Sequence, residues 1–280
     1  MNIKILSDST CDLSAELLQQ HNITLIPLTV VKGDEQYKDG VTITPADILA
    51  HVENGGALCS TAANSIGEYA DQFEKYAADY DGIILVTIGS GFSACYQNAT
   101  LAAEDYPNVR VIDSQNLTTG QGLVVLKACE LAKSATDLDV LAAELRAYTE
   151  KIEGSFLVDK LDYLVKGGRC SSAAALGANL LNLKPCIEVN NGKMAVGKKY
   201  RGNYTKCLAN YIKERLEGRE DIDWSTLFIT KTVVSEECYA AVLDAAKAYG
   251  KFDTVYETTA GCTVSCHCGP GTLGILFVRK

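Results

Sequence analysis

Long apolar stretches are missing from this chain of 280 residues, since no run approaches the roughly 18 apolar residues that a membrane-spanning helix needs. The opening segment, Met1 to Asp8, is too short and becomes acidic too soon for a secretory signal peptide. A disulfide framework is not indicated either, because the 11 cysteines are odd in number and mostly scattered singly. We therefore expect a cytoplasmic protein with reduced thiols and no stable membrane insertion.

Positive charge is scarce in the first half of the chain. Residues 1–150 carry 8 Lys and Arg against 21 Asp and Glu, whereas residues 151–280 carry 18 against 14. The net charge of −9 and the isoelectric point near 4.9 argue against a nucleic-acid partner. The basic second half can still present a local patch to an acidic partner or to a phosphate group.

One cluster resembles a metal site in composition but not in spacing. Cys262, Cys266, His267 and Cys268 fall within seven residues. Structural zinc normally takes its ligands from two separated pairs, and the chain offers no matching second pair. We therefore predict no metal and no cofactor. A redox-sensitive thiol at Cys266 or Cys268 stays an alternative without a supporting signal.

A buried strand that runs into a hydroxyl-rich loop is the most informative local feature. The unbroken apolar run Ile83–Ile88 is followed directly by Gly89–Gln97. Ligands of open α/β sheets lie beyond the carboxyl ends of such strands. The loop lacks the glycine patterns that bind nucleotides, so we expect a small anion, held by Ser90, Ser93 and the N–H groups of the next helix. The alternative is that Ser93 only caps that helix.

A second hydroxyl-rich segment, Cys59–Ser65, precedes another helix. Ser65 and Glu68 form a capping-box pattern, so the cap of that helix is already supplied. Ser60 and Thr61 are therefore left free to support or to bind a ligand.

A third segment, His267–Gly274, is dense in glycine and carries one of the three histidines. Gly269 and Gly271 allow the backbone to approach a ligand or another segment closely. The segment leads into the strand-like run Ile275–Val278.

Strand and helix signals alternate through the first half, which indicates a parallel sheet covered by helices. After residue 152 the pattern changes, and Asn190-Asn191-Gly192 between two strand-like runs predicts an antiparallel hairpin. We therefore predict an α/β fold of two domains, residues 1–152 and residues 153–280, the second with a mixed sheet. The helices are expected to start at or near Ser14, Thr44, Ser65, Ser93, Thr118, Asp137, Tyr163, Ser172, Thr205 and Ser235.

Eight motifs occur in the order in which a bacterial family carries them. They are Ser7–Leu13, Tyr37–Gly40, the loop at Thr61, Ser93–Ala99, Asp113-Ser114, Tyr163–Arg169, Tyr200–Gly202 and His267–Gly271. On these motifs the chain resembles, nearly end to end, the DegV-like fatty-acid-binding proteins. The resemblance implies a Rossmann-like domain followed by a mixed α/β domain, with the lipid between them.

The resemblance also implies residue roles. The hydroxyls at the places of Thr61 and Ser93 hold the fatty-acid carboxylate in that family, and the histidine at the place of His267 lies close by. It implies a non-catalytic carrier that binds a long-chain fatty acid and presents its carboxylate to a separate ATP-dependent fatty acid kinase. Arg169 and Arg201 are expected to face that partner or the transferred phosphate, because arginine offers a fixed fork for such anions.

Two departures from the family pattern surround these hydroxyls. Ala62–Asn64 stands where the family usually has Ser-Gln-Pro, and Ala94-Cys95 stands where it usually has Gly-Thr. The anchoring hydroxyls Thr61 and Ser93 are kept, so we expect the departures to act on ligand choice.

An enzyme is the alternative function. Ser93 or Cys95 would then be the nucleophile of an acyl transferase or hydrolase, with His267 as its base. The chain has no Gly-x-Ser-x-Gly elbow, and only Asp8 or Asp113 can be suggested as the orienting acid. Turnover of an acyl ester by the pure protein would separate this enzyme from the carrier.

Overall fold

The computed structural model describes residues 1–175 and 183–280. The strands there are β1 Ile3–Asp8, β2 Thr24–Ile26, β3 Thr29–Lys32, β4 Glu35–Lys38, β5 Ser60–Ala62, β6 Gly82–Thr87, β7 Val109–Asp113, β8 Ile152–Val158, β9 Leu183–Asn190, β10 Lys193–Arg201, β11 Ile222–Lys231, β12 Thr254–Thr259 and β13 Thr272–Arg279. The helices are α1 Ala15–Gln20, α2 Pro45–Glu53, α3 Ile66–Ala77, α4 Cys95–Ala103, α5 Thr118–Ala132, α6 Leu138–Thr149, α7 Asp162–Gly167, α8 Ser171–Ala174, α9 Tyr204–Leu216, α10 Glu236–Tyr249 and α11 Cys262–Cys268.

A four-stranded parallel sheet in the order β2-β1-β6-β7 forms the first half. Every residue of β6 is buried, because helices cover both faces of the sheet. Continuous apolar sequence is what such double coverage requires. The parallel sheet predicted for this half is confirmed.

A six-stranded mixed sheet in the order β10-β9-β8-β13-β11-β12 forms the second half. Its strands pair antiparallel except β11 with β12, which run parallel. Asn191 and Gly192 both have positive φ, 49° and 71°, and connect β9 to β10. A two-residue turn of this hand matches the twist of the flanking strands, so the hairpin is confirmed.

A small antiparallel sheet, β4-β3-β5, adds to the first half. Sequence analysis placed Ser60 and Thr61 in a loop, but both belong to strand β5, in which Thr61 pairs with Val30. A strand of three residues is too short to show an alternating pattern. Its existence depends on a partner about thirty residues away in the chain, which local sequence does not reveal.

Helix α5 lies between the two large sheets and contacts strands of both. It is buried along most of its length. On the other face of the parallel sheet, one apolar cluster runs continuously from Leu6 and Leu85 of the first half to Phe156 and Ile187 of the second. The two halves therefore share an apolar core.

Several element boundaries differ from the predicted ones. Helix α4 begins at Cys95 and not at Ser93, and α11 was not predicted at all. The helix predicted from Ser172 begins at Ser171 and is described as far as Ala174, and its predicted continuation lies outside the described residues. Strand β8 begins at residue 152, where the domain boundary was placed; that boundary stays a prediction.

Candidate functional site

A cavity of about 220 Å³ is walled by segments from both halves of the chain. Strand β5, the β6–α4 loop, β10 and α11 each contribute. The lining residues are Leu28, Thr61, Ala63, Ile88, Phe92, Ser93, Ala94, Leu117, Arg169, Met194, Thr263, Val264, His267 and Cys268. Most of these side chains are apolar, and the polar ones are Thr61, Ser93, Arg169, Thr263 and His267. Such a cavity suits an apolar ligand with one polar end.

Thr61 and His267 form the polar centre of this wall. The Thr61 Oγ1 atom lies 2.8 Å from His267 Nε2, a hydrogen bond between residues 206 positions apart. Both side chains are half-buried. The fold thus brings together two of the three residues that the resemblance assigns to the carboxylate.

The second nitrogen of His267 faces the end of α7. Nδ1 is buried, and no atom of the described residues gives it a hydrogen bond. Burial lowers the pKa of His267 to about 4, and the nearby Arg169 guanidinium acts in the same direction. At neutral pH the ring is therefore uncharged, with a single N–H to donate.

Ser93, the third residue, lines the same cavity from the start of α4. Its Oγ donates to Cys95 Sγ over 3.1 Å and accepts the Cys95 N–H over 3.3 Å. The N-cap residue of α4 is Ala94, and no side chain caps the helix, so Ser93 lies just before the helix and its hydroxyl contacts the first helical residue. Burial, aided by the Asp8 carboxylate, raises the pKa of Cys95 to about 11, so its thiol stays protonated.

Asp8 anchors the loop that carries Ser93. Its carboxylate accepts the Ile88 N–H over 2.7 Å and the Gln121 side-chain amide over 2.9 Å. Burial raises the pKa of Asp8, and these hydrogen bonds oppose the rise. The carboxylate is thus committed to the backbone after β6, and not to His267 as a catalytic orienting acid would be.

Ser90 braces the same loop from the other side. Its N–H and hydroxyl donate to the two Asp113 oxygens over 3.1 and 2.5 Å. The Gln115 N–H donates to Asp113 as well, over 2.9 Å. Ser90 and Asp113 therefore tie the loop after β6 to the loop after β7, and the hydroxyl expected to contact an anion is used for this tie.

Three further predicted residues have positions that explain their type. Ser60 is exposed on β5, on the face opposite Thr61. Gly269 ends α11 at φ 68°, and a side chain there would lie 2.4 Å from the Tyr163 ring. Gly271, at φ 75°, approaches Asp159 with a similar lack of space. Both glycines satisfy a conformation and a close contact at once.

The two predicted arginines lie in different surroundings. Arg169 is exposed but lines the cavity, and its Nη1 donates to the Gly167 carbonyl over 2.7 Å. Arg201 is exposed at the end of β10, opposite Leu183. Of the two arginines, Arg169 lines the cavity and Arg201 is not among its lining residues.

A smaller cavity of about 30 Å³ lies behind the main one. The two share Leu117, Val264 and Cys268 as a common wall. The inner cavity is otherwise bounded by residues of the mixed sheet, such as Phe156 and Leu276.

The sequence does not reveal the apolar lining, because Leu28, Phe92 and Met194 look like ordinary core residues. It also gave no role to Asp39, although the motif Tyr37–Gly40 contains it. Asp39 is buried beside α11 and accepts the N–H groups of Cys262 and Thr263. The carboxylate within the motif Tyr37–Gly40 was the sequence feature that could have identified Asp39.

Two features are missing from residues 1–175 and 183–280 of the chain. No group of three or more His, Cys, Asp or Glu side chains there is arranged to hold a metal ion. In the same part of the chain, no helix combines the length and the apolar character that crossing a membrane requires.

The chain is similar over its whole length to known proteins. A sequence profile of the family described as "uncharacterised protein, DegV family" matches residues 2–280. A DegV domain-containing protein of Clostridium perfringens is 30% identical over 282 residues, which cover 99% of each chain.

Two solved structures illustrate the similarity in fold. A DegV family protein from Thermus thermophilus, described for its fatty acid binding, has a TM-score of 0.90 at 27% identity and covers 100% of both chains. A stearic-acid-binding protein from Eubacterium ventriosum has a TM-score of 0.84 at 28% identity, covering 99% of this chain and 98% of that one. Each was described as a protein that binds a fatty acid.

Proposed function

Because this chain belongs to the DegV family, we propose that it binds a long-chain fatty acid, with the carboxylate at Thr61 and Ser93. One observation carries the proposal. The hydrogen-bonded pair of Thr61 and His267 and the hydroxyl of Ser93 line one cavity whose other walls are mainly apolar. The two solved relatives named above, which match end to end, support the same ligand class.

The neutral state of His267 explains how Thr61 can donate a hydrogen bond to a carboxylate. When the ring proton is on Nε2, the imidazole donates to Thr61 Oγ1, and the Thr61 hydroxyl is free to donate its own proton into the cavity. A carboxylate there would accept from Thr61, and also from Ser93 once the Ser93 hydroxyl turns from Cys95 Sγ to the ligand. Burying a carboxylate is costly unless it is hydrogen-bonded, and these two donors offset that cost.

The acyl chain would occupy the apolar part of the cavity. Each buried methylene contributes about 0.8 kcal/mol, so a long chain offsets the remaining carboxylate desolvation and its own ordering. The inner cavity behind Leu117, Val264 and Cys268 would receive the distal end of the chain.

The proposal includes a carrier role. The chain has no Gly-x-x-x-x-Gly-Lys-Ser/Thr loop for a triphosphate, so ATP chemistry on the carboxylate would be supplied by a separate fatty acid kinase. Exposed Arg169 beside the cavity and exposed Arg201 on β10 are the residues we assign to the kinase or to the transferred phosphate. The protein itself would perform no catalysis.

The enzymatic alternative finds less support in the geometry. His267 Nε2 is paired with Thr61, while the Ser93 hydroxyl is directed to Cys95. A nucleophile would instead need its base within hydrogen-bond reach and an acid behind that base. The raised pKa of Cys95 also leaves it without the thiolate that acyl transfer needs.

Native mass spectrometry of the purified protein tests the proposal. We expect an adduct with the mass of a long-chain fatty acid, lost under denaturing conditions because no covalent bond holds it. Bare protein, together with no thermal shift on adding stearate, would refute fatty-acid binding. An adduct that survives denaturation would instead favour an acyl-enzyme at Ser93 or Cys95.

A further inference from the structure

Helix α11 begins without a side-chain cap of its own, since its N-cap residue is Gly261. The first N–H groups of a helix have no partners within the helix. Here they donate to two carboxylates from the first half of the chain. The Gly261 N–H donates to Asp12 over 2.9 Å. The N–H groups of Cys262 and Thr263 donate to separate oxygens of Asp39 over 2.9 and 3.1 Å.

Asp39 holds more than the helix end. The Thr263 hydroxyl donates to its carboxylate over 2.6 Å, and the Ser9 hydroxyl does so over 3.0 Å. Ser9 Oγ also accepts the Leu28 N–H over 3.1 Å, and the Leu28 carbonyl accepts the Asp39 N–H over 2.9 Å. Leu28 and Thr263 both line the cavity. The buried Asp39 carboxylate therefore connects two walls of the cavity, the one that contains Leu28 and the one that contains Thr263.

Because α11 is short, fixing its start at Thr263 also fixes the position of the His267 imidazole. Thr263 and His267 are four residues apart and lie on the same face of the helix. The helix has seven residues and is only about 10 Å long. A hydrogen bond weakens steeply once its donor and acceptor separate beyond about 3.2 Å, so a small tilt of α11 would break the 2.8 Å contact between His267 and Thr61.

We propose that Asp39 is a positioning residue for carboxylate recognition, holding α11 so that His267 stays within hydrogen-bond reach of Thr61. This inference rests on the proposed function and deepens it, because it names a residue outside the cavity that governs recognition of the polar end of the ligand. A cap that only stabilises the fold would affect all ligands of the cavity alike.

Two variants and one matched control test the role. Asp39→Ala removes the cap, and Asp39→Asn keeps its shape but replaces one accepting oxygen with a donor, which must face the N–H of either Cys262 or Thr263. Asp137→Ala is the control, because Asp137 also caps a helix by accepting two N–H groups, but it does so at the exposed start of α6. Calorimetry with palmitate and with 1-hexadecanol, which has the same chain without the carboxylate, gives the selectivity for the polar end.

We expect both Asp39 variants to lose about tenfold or more in palmitate affinity while hexadecanol affinity changes much less. Asp137→Ala should lower the melting temperature and leave the ratio of the two affinities unchanged. An equal loss for both ligands, or no loss for either, in Asp39→Asn would overturn the positioning role. Should Asp39→Ala fail to fold, Asp39→Asn still decides the question.

A readout without ligand separates this inference from the proposed function. NMR titration of the His267 ring in the free protein should give a pKa near 4 in the wild type, and a value closer to 6.5 in Asp39→Asn as water reaches the ring. Wild-type protein that binds neither ligand would refute the proposed function alone. An unchanged His267 titration in Asp39→Asn would refute the positioning role whatever the ligand.

Discussion

The ring of His267 lies so close to the Cα of Gly167 that a side chain at that position would come within 2.6 Å of Nδ1. Gly167 is the last residue of α7, and its φ is not positive. The neighbouring ring, and not backbone conformation, therefore requires glycine there. Gly168 is the opposite case, since its φ is 70° and nothing lies within 4 Å of the place where its Cβ would be.

These two glycines give opposite predictions. Gly167→Ala should push the imidazole away from Thr61 and so weaken fatty-acid binding, besides lowering stability by about 1–3 kcal/mol as overpacking does. Gly168→Ala should cost about 1–2 kcal/mol of stability through its left-handed backbone but leave the affinity unchanged. Chemical denaturation and calorimetry measure the two effects. Equal affinities in both variants would mean that the His267 position does not matter for binding.

Loss of either anchoring hydroxyl should weaken the ligand. Thr61→Val and Ser93→Ala each leave the carboxylate without one donor, and we expect a loss of about 1–3 kcal/mol in each, measured by calorimetry. Ser60→Ala is the matched control, because Ser60 is the exposed neighbour of Thr61 on β5. Wild-type affinity in both Thr61→Val and Ser93→Ala would show that the ligand carboxylate does not bind at these hydroxyls.

The two arginines should separate into different roles. Arg201→Ala should retain the lipid and reduce kinase-dependent phosphorylation, because Arg201 is exposed on β10. Arg169→Ala should reduce both, because its guanidinium lines the cavity, and Arg169→Lys should restore part of the binding through its charge. Native mass spectrometry and a coupled kinase assay give the two readouts. Lipid loss in Arg201→Ala would contradict this separation.

Stability should depend on pH through His267. Its folded-state pKa of about 4 lies below the ordinary 6.5, so between these values the unfolded chain binds a proton that the folded chain does not. Stability is therefore full above pH 6.5 and falls as the pH drops toward 4, by about 2 kcal/mol after allowing for the exposed part of the ring.

The variant His267→Gln isolates this contribution. Burial raises the pKa values of Asp8 and Asp12, but both carboxyl groups are present in the variant and in the wild type, so their contributions cancel in the difference. Urea unfolding at several pH values should show the gap between the two proteins narrowing from pH 7 to pH 4. A constant gap would mean that His267 titrates normally in the folded protein.

Elements with strong local signals were predicted well. The helix start at Thr44, the capping box at Ser65 and the turn at Asn191-Gly192 are all present in the structure. Each of these features depends on residues within a few positions of one another. The buried strand Gly82–Thr87 was likewise predicted from a continuous run of apolar residues. Local patterns of this kind can be predicted directly from the sequence.

Helix α11 shows where local signals end. Its seven residues follow a glycine at the N-cap and include three cysteines, with no capping side chain within the segment. The caps that stabilise it, Asp12 and Asp39, are more than 220 positions away in the chain. No local pattern could have predicted a helix whose stabilising partners belong to the other half of the protein.

The sequence by itself determined the two-sheet α/β class, the strand that leads to Ser93, and, through its motifs, the candidate residues Thr61, Ser93 and His267. Only the tertiary structure decided that Thr61 and His267 touch, that the imidazole stays neutral, and that Arg169 but not Arg201 lines the cavity. Hydrogen bonds within a turn or helix end depend on neighbours in the chain. Contacts, burial and pKa depend instead on which distant segments the packed core brings together.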